Sequence, residues 1–191
     1  MNLPAMDADQ SSEGVPDQEL PRGIQVSAAD VAAILHERGW SGDESAPGLE
    51  EWMEEAAALL GPQSDNHAML ADLLGLIFHY DAQELLSRPW NHAVLAREGA
   101  RDVIRGLAAM VLAGPAVDSN RYKEIVAELR SATGCQGQKL FYPLRLALAG
   151  RAGGGPLDRV ILLLDRAAAL PFRAAVKTNR QRILEFCAAM D

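Results

Sequence analysis

Apolar side chains at helical spacing, interrupted again and again by glycine and proline, constrain the fold of this chain most. Residues 49–60 place Trp52, Ala56 and Leu59 on one face, and Gly61-Pro62 follows directly. Aromatic residues make up only 5% of the sequence, so Ala and Leu carry the core, and both favour helices over strands. The sequence therefore predicts an all-α protein. The predicted helices cover about 27–38, 49–60, 64–80, 81–87, 91–113, 118–133, a short segment opened by Pro143, 156–164 and 171–189.

Composition divides the chain into three parts. Residues 1–26 are rich in Asp, Glu, Ser, Pro and Gly, and such a segment cannot bury enough apolar surface to offset its ordering entropy. We expect a disordered acidic tail that is dispensable for folding. The helical remainder is predicted to form two small subdomains, at 27–115 and 116–191, separated after Gly114-Pro115.

Charge is distributed unevenly along the sequence. The net charge is −8, which by itself disfavours nucleic acid as a partner. Residues 1–120, however, contain 20 acidic and 6 basic side chains, whereas residues 121–191 contain 6 acidic and 12 basic ones. A binding surface responds to local potential, so the last third is the region in which to look for an anionic partner.

Several function classes are not indicated. The sequence shows neither an apolar run of membrane-spanning length nor a basic, apolar leader, so we expect a cytoplasmic protein without a membrane partner. Cys135 and Cys187 are expected to be free thiols. The four histidines lack ligand spacing and no glycine-rich loop follows a strand, so neither a metal nor another cofactor is predicted.

One continuous stretch carries a family resemblance. Residues 137–150 read Gly-Gln-Lys-Leu-Phe-Tyr-Pro-Leu-Arg-Leu-Ala-Leu-Ala-Gly, followed by a small-residue loop, Pro156 and a Leu-rich helix. This resembles the G-K-x-L-F-x-P-L-R-x-A-L-T-G pattern in the C-terminal anticodon-binding domain of bacterial glutamyl-tRNA synthetases. The resemblance extends over about 28–191 and implies a helical fold and tRNA, with tRNA-Glu as the candidate, as partner.

The catalytic half of that family is not visible in the sequence. In that family the catalytic half is a Rossmann domain with H-I-G-H-like and K-M-S-K-S-like motifs that bind ATP. We find neither motif in this sequence. His36-Glu37-Arg38-Gly39 lies at a predicted helix end, so it does not substitute for them. We therefore expect no enzymatic activity from this chain alone.

The resemblance assigns RNA contacts to five residues. Arg145 matches an arginine that reads the anticodon; the alternative is a structural arginine bonded to helix-end carbonyls. Leu157 matches an apolar residue that faces a base, although a Leu at a helix start also suits the core. Lys139, Arg151 and Arg159 are expected to contact phosphates, or else to be ordinary solvated charges.

Two positions depart from the family pattern. Ala149 replaces a Thr, and Gly153-Gly154-Gly155 replaces a loop that carries a hydroxyl in some relatives. Both remove hydrogen-bonding groups from the surface that would face RNA. The basic residues Arg173, Lys177, Arg180 and Arg182 are expected to form a solvated face of the last helix; the alternative is that they extend the RNA or partner surface.

Three functions remain open from the sequence. The first is a tRNA-binding module that acts alone or in trans with a synthetase. The second is a helical scaffold that has lost its RNA surface and binds a protein. The third is a truncated synthetase with little function of its own.

Overall fold

The computed structural model describes residues 25–43, 45–152 and 155–191, and all regular secondary structure among these residues is helical. The prediction of an all-α fold is confirmed. The predicted acidic tail lies almost entirely outside the described residues. The elements are α1 Ala28–Glu37, α2 Leu49–Leu60, a 3-10 helix Gly61–Gln63, α3 His67–Phe78, α4 Ala82–Ser87, α5 Pro89–Leu95, α6 Ala100–Ala113, α7 Ser119–Thr133, α8 Gln138–Ala149, α9 Leu157–Ala169 and α10 Asn179–Met190.

Short polar side chains begin several of these helices. The Ser27 hydroxyl accepts from the Asp30 backbone N–H, and the Asp30 carboxylate accepts from Ser27 in return, which completes a capping box. The Asp118 side chain accepts from the Arg121 backbone N–H and caps α7. Asn66 caps α3, while the Ser64 hydroxyl donates to the Leu60 carbonyl at the end of α2.

The long helix predicted from Asn91 to residue 113 is two helices. Gly99 adopts a φ of +78° before α6, a conformation that glycine accepts at little cost and that interrupts a helix. The Asn91 side chain does not cap a helix. It is buried and donates to the Leu85 carbonyl at the end of α4, while Pro89 occupies the first turn of α5.

Two more boundaries were predicted wrongly. Helix α8 begins at Gln138, so Pro143 lies inside it instead of in its first turn, and its buried ring contributes to packing there. Residues 171–178 are not helical. Phe172 lies edge-on to Trp52 and Phe78, with ring centroids 4.9 and 5.0 Å apart, so packing against the aromatic rings holds this segment across the first helices.

The buried side chains form two apolar clusters. The first contains α1, α2 and α3 together with Leu163, Leu164 and Ala167 of α9. The second contains Tyr80, side chains of α4 through α8 and of α10, and the first turns of α9. Among the described residues, the division between these two clusters falls near residue 79. Helix α9 enters both clusters, because its inward stripe continues along its whole length.

None of the helices in the described part of the chain is both long enough and apolar enough to cross a membrane.

Candidate nucleic-acid interface

The stretch that resembles the synthetase motif folds into α8 and the turn that leads to α9. Its inward face carries Leu140, Leu144 and Leu148, all buried in the second cluster. Lys139, Tyr142 and Arg145 follow one another at intervals of three residues, which places them along one outer side of the helix. Lys139 is exposed, while Tyr142 and Arg145 are half-buried. The outer face of α8 is therefore a basic surface with one aromatic ring.

Arg145 fixes the end of the loop between α8 and α9. Its guanidinium donates to the Gly155 carbonyl at 2.6 Å. Gly155 has a φ of +59°, and a Cβ there would lie 2.5 Å from the Gln63 side-chain nitrogen, so the loop passes close to the 3-10 helix. A structural bond of Arg145 to a backbone carbonyl is thus present. A guanidinium has five donors in one plane, a geometry that matches both carbonyl and phosphate acceptors.

Tyr122 lies close to the same arginine. Burial raises the pKa of Tyr122 to about 12, while the positive charge of Arg145 opposes this rise and the Asp158 carboxylate adds to it. The charges of Arg145 on α8 and of Asp158 in the first turn of α9 thus both act on Tyr122 in the first turn of α7. Side chains of α7, α8 and α9 therefore interact electrostatically around Tyr122.

Arg151 continues the positive surface beyond the end of α8. Burial lowers the pKa of its guanidinium, and the neighbouring charge of Arg145 lowers it further. Arg151 also borders an open groove of about 790 Å³ that reaches the first cluster. Arg38 and Arg88 lie in the same groove, with Asp72 and Glu84 as its acidic side chains. The basic surface therefore includes residues from the acidic first part of the sequence.

The remaining two predicted contacts lie in different surroundings. Leu157 is 3% exposed and packs in the second cluster, where it anchors the start of α9. Arg159 is exposed and borders a groove of about 1150 Å³ between α2, α7 and α9. That groove also contains Lys123, Asp158 and Asp165, so its charge is mixed. The structure thus brings Arg145 and Arg151 together, places Lys139 on the same helix, and directs Leu157 inward.

The basic residues near the C-terminus do not form the predicted solvated face. Arg182 is 0% exposed. Its guanidinium donates to the carbonyls of Ile77, Leu148 and Lys177 at 2.7, 3.0 and 3.1 Å. Ile77 and Leu148 lie at the ends of α3 and α8, where backbone carbonyls lack helical partners. The sequence prediction was wrong here because carbonyl groups from distant helices cannot be seen in a local pattern.

Its neighbours are engaged in the same way. Arg180 donates to the Gly114 and Leu112 carbonyls at the end of α6, at 2.9 and 2.5 Å. Lys177 donates to the Tyr80 carbonyl at 2.7 Å and to Glu185 at 2.5 Å. Burial lowers the pKa of Arg182 to about 10, although nearby Tyr80 and Glu185 favour its charged form. These cations hold helix ends together.

Sequence analysis overlooked Arg97. Its guanidinium carbon lies 5.6 Å from the centre of the Tyr142 ring on the outer face of α8. The pairing joins residues 45 positions apart, so local spacing gave no indication of it. The available signal was weaker: Arg97, Arg101 and Arg105 recur every four residues, as side chains on one helical face do.

Comparisons with known proteins agree with this architecture. A family model described as an anticodon binding domain matches residues 30–171. Glutamate–tRNA ligase of Bacillus mycoides (strain KBAB4) is 27% identical over 155 residues, which cover 80% of this chain and 30% of that protein. Glutamate–tRNA ligase 2 of Syntrophus aciditrophicus (strain SB) is 35% identical over 72 residues, 38% of this chain and 15% of that protein.

The fold and the family match define the class. The chain belongs to the anticodon-binding domain family, and its relatives include glutamate–tRNA ligases. It spans less than a third of the length of these ligases. The family match lies entirely within the helical region that contains the α8 motif.

Proposed function

We propose that this chain binds the anticodon region of a tRNA through the outer face of α8 and the turn that leads to α9. One observation carries the proposal: Lys139 and Arg145 lie on the outer side of α8 and the charge of Arg145 acts on Arg151 just beyond its end, whereas Arg180 and Arg182 hold helix ends. Neighbouring cations produce the local potential that attracts a phosphate backbone, even though the chain is acidic as a whole.

Each residue has a different part in this proposal. Lys139, exposed in the first turn of α8, contacts phosphate and raises affinity without selecting sequence. Arg145 contacts a base edge from the position at which its bond to the Gly155 carbonyl holds it. Arg151 and Arg159 extend the positive potential to either side. Leu157 positions α9 from within the core.

The activity of the full-length relatives is not part of the proposal. Those proteins are ligases by name, while this chain matches only a helical part of them. We propose that the chain acts without an aminoacylation site of its own, either alone or in trans with a synthetase. We further propose that the tRNA it binds is tRNA-Glu. We expect homogeneous protein to show no glutamate-dependent ATP–pyrophosphate exchange with tRNA added. Robust exchange, with contaminating synthetase excluded, contradicts this part of the proposal.

A second candidate function is a helical scaffold for a protein partner. The bond from Arg145 to the Gly155 carbonyl favours it, because that bond serves the loop whether or not RNA is present. On this account the acidic first part of the chain supplies the interaction surface. The two functions differ in what removal of a surface cation does to RNA affinity.

An anisotropy titration with labelled tRNA tests the proposal. We expect binding at low salt whose logarithm falls linearly with the logarithm of salt concentration, with a slope equivalent to about three to five phosphates. Lys139→Ala should reduce that slope by about one and weaken all tRNAs alike. The matched control is Arg173→Ala. It removes an exposed positive charge from the non-helical segment 171–178, which is part of neither α8 nor the turn that leads to α9.

Arg145 provides the test of specificity. Arg145→Ala should cost about 1–3 kcal/mol of binding, and the loss should be larger for a tRNA with the matching anticodon than for one without it. An equal loss for both tRNAs would reduce Arg145 to a loop anchor. Absence of binding to total tRNA at low salt would favour the scaffold function.

A further inference from the structure

The turn that leads to α9 contacts the first cluster as well as α8. The 3-10 helix Gly61–Gln63 follows α2 directly, and Gln63 at its end is half-buried. The Gln63 side-chain amide donates to the Leu59 carbonyl in the last turn of α2 at 2.6 Å. Leu59 is buried and belongs to the first cluster. A hydrogen bond therefore holds the Gln63 amide against the first cluster.

Gly155 lies directly on this amide. A Cβ at Gly155 would lie 2.5 Å from the nitrogen, 3.0 Å from the carbon and 3.2 Å from the oxygen of the Gln63 amide. Carbon atoms in ordinary contact are about 3.5–4.0 Å apart, so a side chain at residue 155 does not fit while Gln63 keeps its place. The amide moves aside only by breaking its bond to the Leu59 carbonyl. The turn therefore needs a glycine to approach the 3-10 helix this closely.

The carbonyl of the same glycine holds Arg145. It accepts from the Arg145 guanidinium at 2.6 Å, and the positive charge of the donor strengthens this bond. The Gly155 Cα that rests on Gln63 and the oxygen that binds Arg145 belong to one residue, within which bond lengths are fixed. A displacement of the Cα therefore moves the oxygen, and the guanidinium follows its acceptor. The position of Arg145 thus depends on a side chain that is anchored to the first cluster.

Gln63 stands where the two clusters meet. It lines a cavity of about 40 Å³ together with Ala149 at the end of α8 and Val160 of α9. Arg151 borders the same cavity. A space of this size holds only a few water molecules, so the surrounding elements are closely packed. The 3-10 helix therefore lies against the end of α8 and the start of α9, the two elements that the turn connects.

We propose that Gln63 is a positioning residue for Arg145: its amide fixes the Gly155 backbone, and the Gly155 carbonyl fixes the guanidinium where it meets a base. The inference rests on the proposed function, because Arg145 needs this placement only when α8 binds RNA. A base edge is read by hydrogen bonds that weaken steeply when donor and acceptor are misaligned. Gln63 thereby sets the anticodon preference of the RNA-binding face without itself contacting RNA.

The variants Gly155→Ala and Gln63→Ala, made singly and together, test this proposal. Anisotropy titrations with two labelled tRNAs, one with and one without the matching anticodon, give a ratio of affinities for each protein. We expect Gly155→Ala to lower this ratio roughly threefold or more, because the added methyl group displaces the turn. Gln63→Ala should lower it as well, since the glycine then loses its support. The double variant should recover most of the ratio, because the methyl group occupies the space that the amide leaves.

Gly134→Ala is the matched control for backbone strain. Gly134 has a φ of +68° at the end of α7, and apart from its chain neighbours no described atom lies within 4 Å of a Cβ there. The variant therefore has the strain of an alanine at positive φ without a steric clash. We expect it to lower the unfolding midpoint and to leave the ratio of affinities unchanged. A purely structural role of Gly155 would likewise weaken both tRNAs equally.

The outcomes separate this inference from the proposed function. If Arg145→Ala loses the anticodon preference while Gly155→Ala keeps it, or the double variant recovers none of it, positioning by Gln63 is overturned and the α8 site stands. Should Gly155→Ala fail to fold, Gln63→Ala alone decides, since an unchanged ratio in that variant overturns the inference. A wild type that binds no tRNA overturns both proposals.

Discussion

Arg182 on α10 and Lys139 on α8 are both cations of the basic last third of the chain, yet one is fully buried and the other lies on the surface. Arg182 donates to carbonyls that three separate segments leave without helical partners. Lys139 stands in the first turn of α8, where backbone carbonyls are already used within the helix. The position of a cation relative to helix C-termini, and not its charge, decides between a structural and a binding role.

This difference gives the chain two separable sets of variants. Changes around α10 should act on stability, because charge-assisted hydrogen bonds there compensate the desolvation of Arg182. Changes on α8 should act on RNA affinity and leave stability nearly unchanged, since exposed charges contribute little to folding.

The largest effect is expected for Arg182→Met. It removes the donors to three carbonyls, and each buried acceptor left unsatisfied costs about 1–3 kcal/mol, so we expect a loss of about 3–5 kcal/mol in the free energy of unfolding. Urea unfolding followed by circular dichroism measures it. Arg173→Ala is the control and should change stability by less than about 0.5 kcal/mol. Equal unfolding midpoints for the two variants would contradict the structural role of Arg182.

Leu157→Ala should have the next largest effect. Truncating this buried side chain removes apolar contacts and leaves a cavity at the start of α9, which should cost about 2–4 kcal/mol of stability. Leu157→Met, which preserves volume, should cost less than about 1.5 kcal/mol. Below the melting temperature, RNA affinity should be the same for both variants. If it falls for Leu157→Ala alone, Leu157 takes part in binding and moves out of the core to do so.

A smaller loss of stability is expected for Arg180→Ala. The two bonds from Arg180 to the end of α6 are at the surface, where water can replace them, so the cost should be about 1 kcal/mol. Thermal unfolding compared with Arg173→Ala isolates the effect of the bonds from that of the charge. An Arg180 variant that binds tRNA more weakly without losing stability would place Arg180 among the binding cations.

Ionisation of Tyr122 should lower the stability of the protein in alkaline solution. Its pKa is raised from 10.0 to about 12 in the folded protein, so between these values the unfolded chain loses the phenolic proton and the folded protein keeps it. The stability that Tyr122 contributes is complete below about pH 10 and falls as the pH rises toward about 12. Urea midpoints of the wild type should therefore fall more steeply with pH than those of Tyr122→Phe. If the urea midpoints of the two proteins fall equally with pH, the Tyr122 hydroxyl is accessible to water and its pKa is not raised.

The sequence predicted those features that depend on neighbours along the chain. Ser27 and Asp30 form the capping box that begins α1, Asp118 caps α7, and the spacing of apolar residues identifies the all-α class. The sequence did not predict features that depend on contacts between distant residues. Phe172 holds residues 171–178 in a non-helical path because it packs against Trp52 and Phe78.

For the candidate site, too, the sequence predicted local features and did not predict features that depend on distant contacts. Its location in α8 followed from the motif, since family patterns record local chemistry. The exposure of Lys139, the burial of Leu157 and the contact between Arg97 and Tyr142 depend on which helices pack together. Single-sequence reasoning therefore names the helix but not the side chains that face outward from the finished fold.

A charge reversal tests the central comparison most directly. Lys139→Glu and Arg173→Glu change the net charge equally and at exposed positions, so both should retain wild-type unfolding midpoints. In a low-salt anisotropy titration with tRNA, we predict that Lys139→Glu binds roughly tenfold or more weakly than Arg173→Glu, because we propose that only Lys139 contacts phosphate. Equal affinities for the two variants, or a loss of stability confined to Lys139→Glu, would contradict the assignment of α8 as the RNA-binding face.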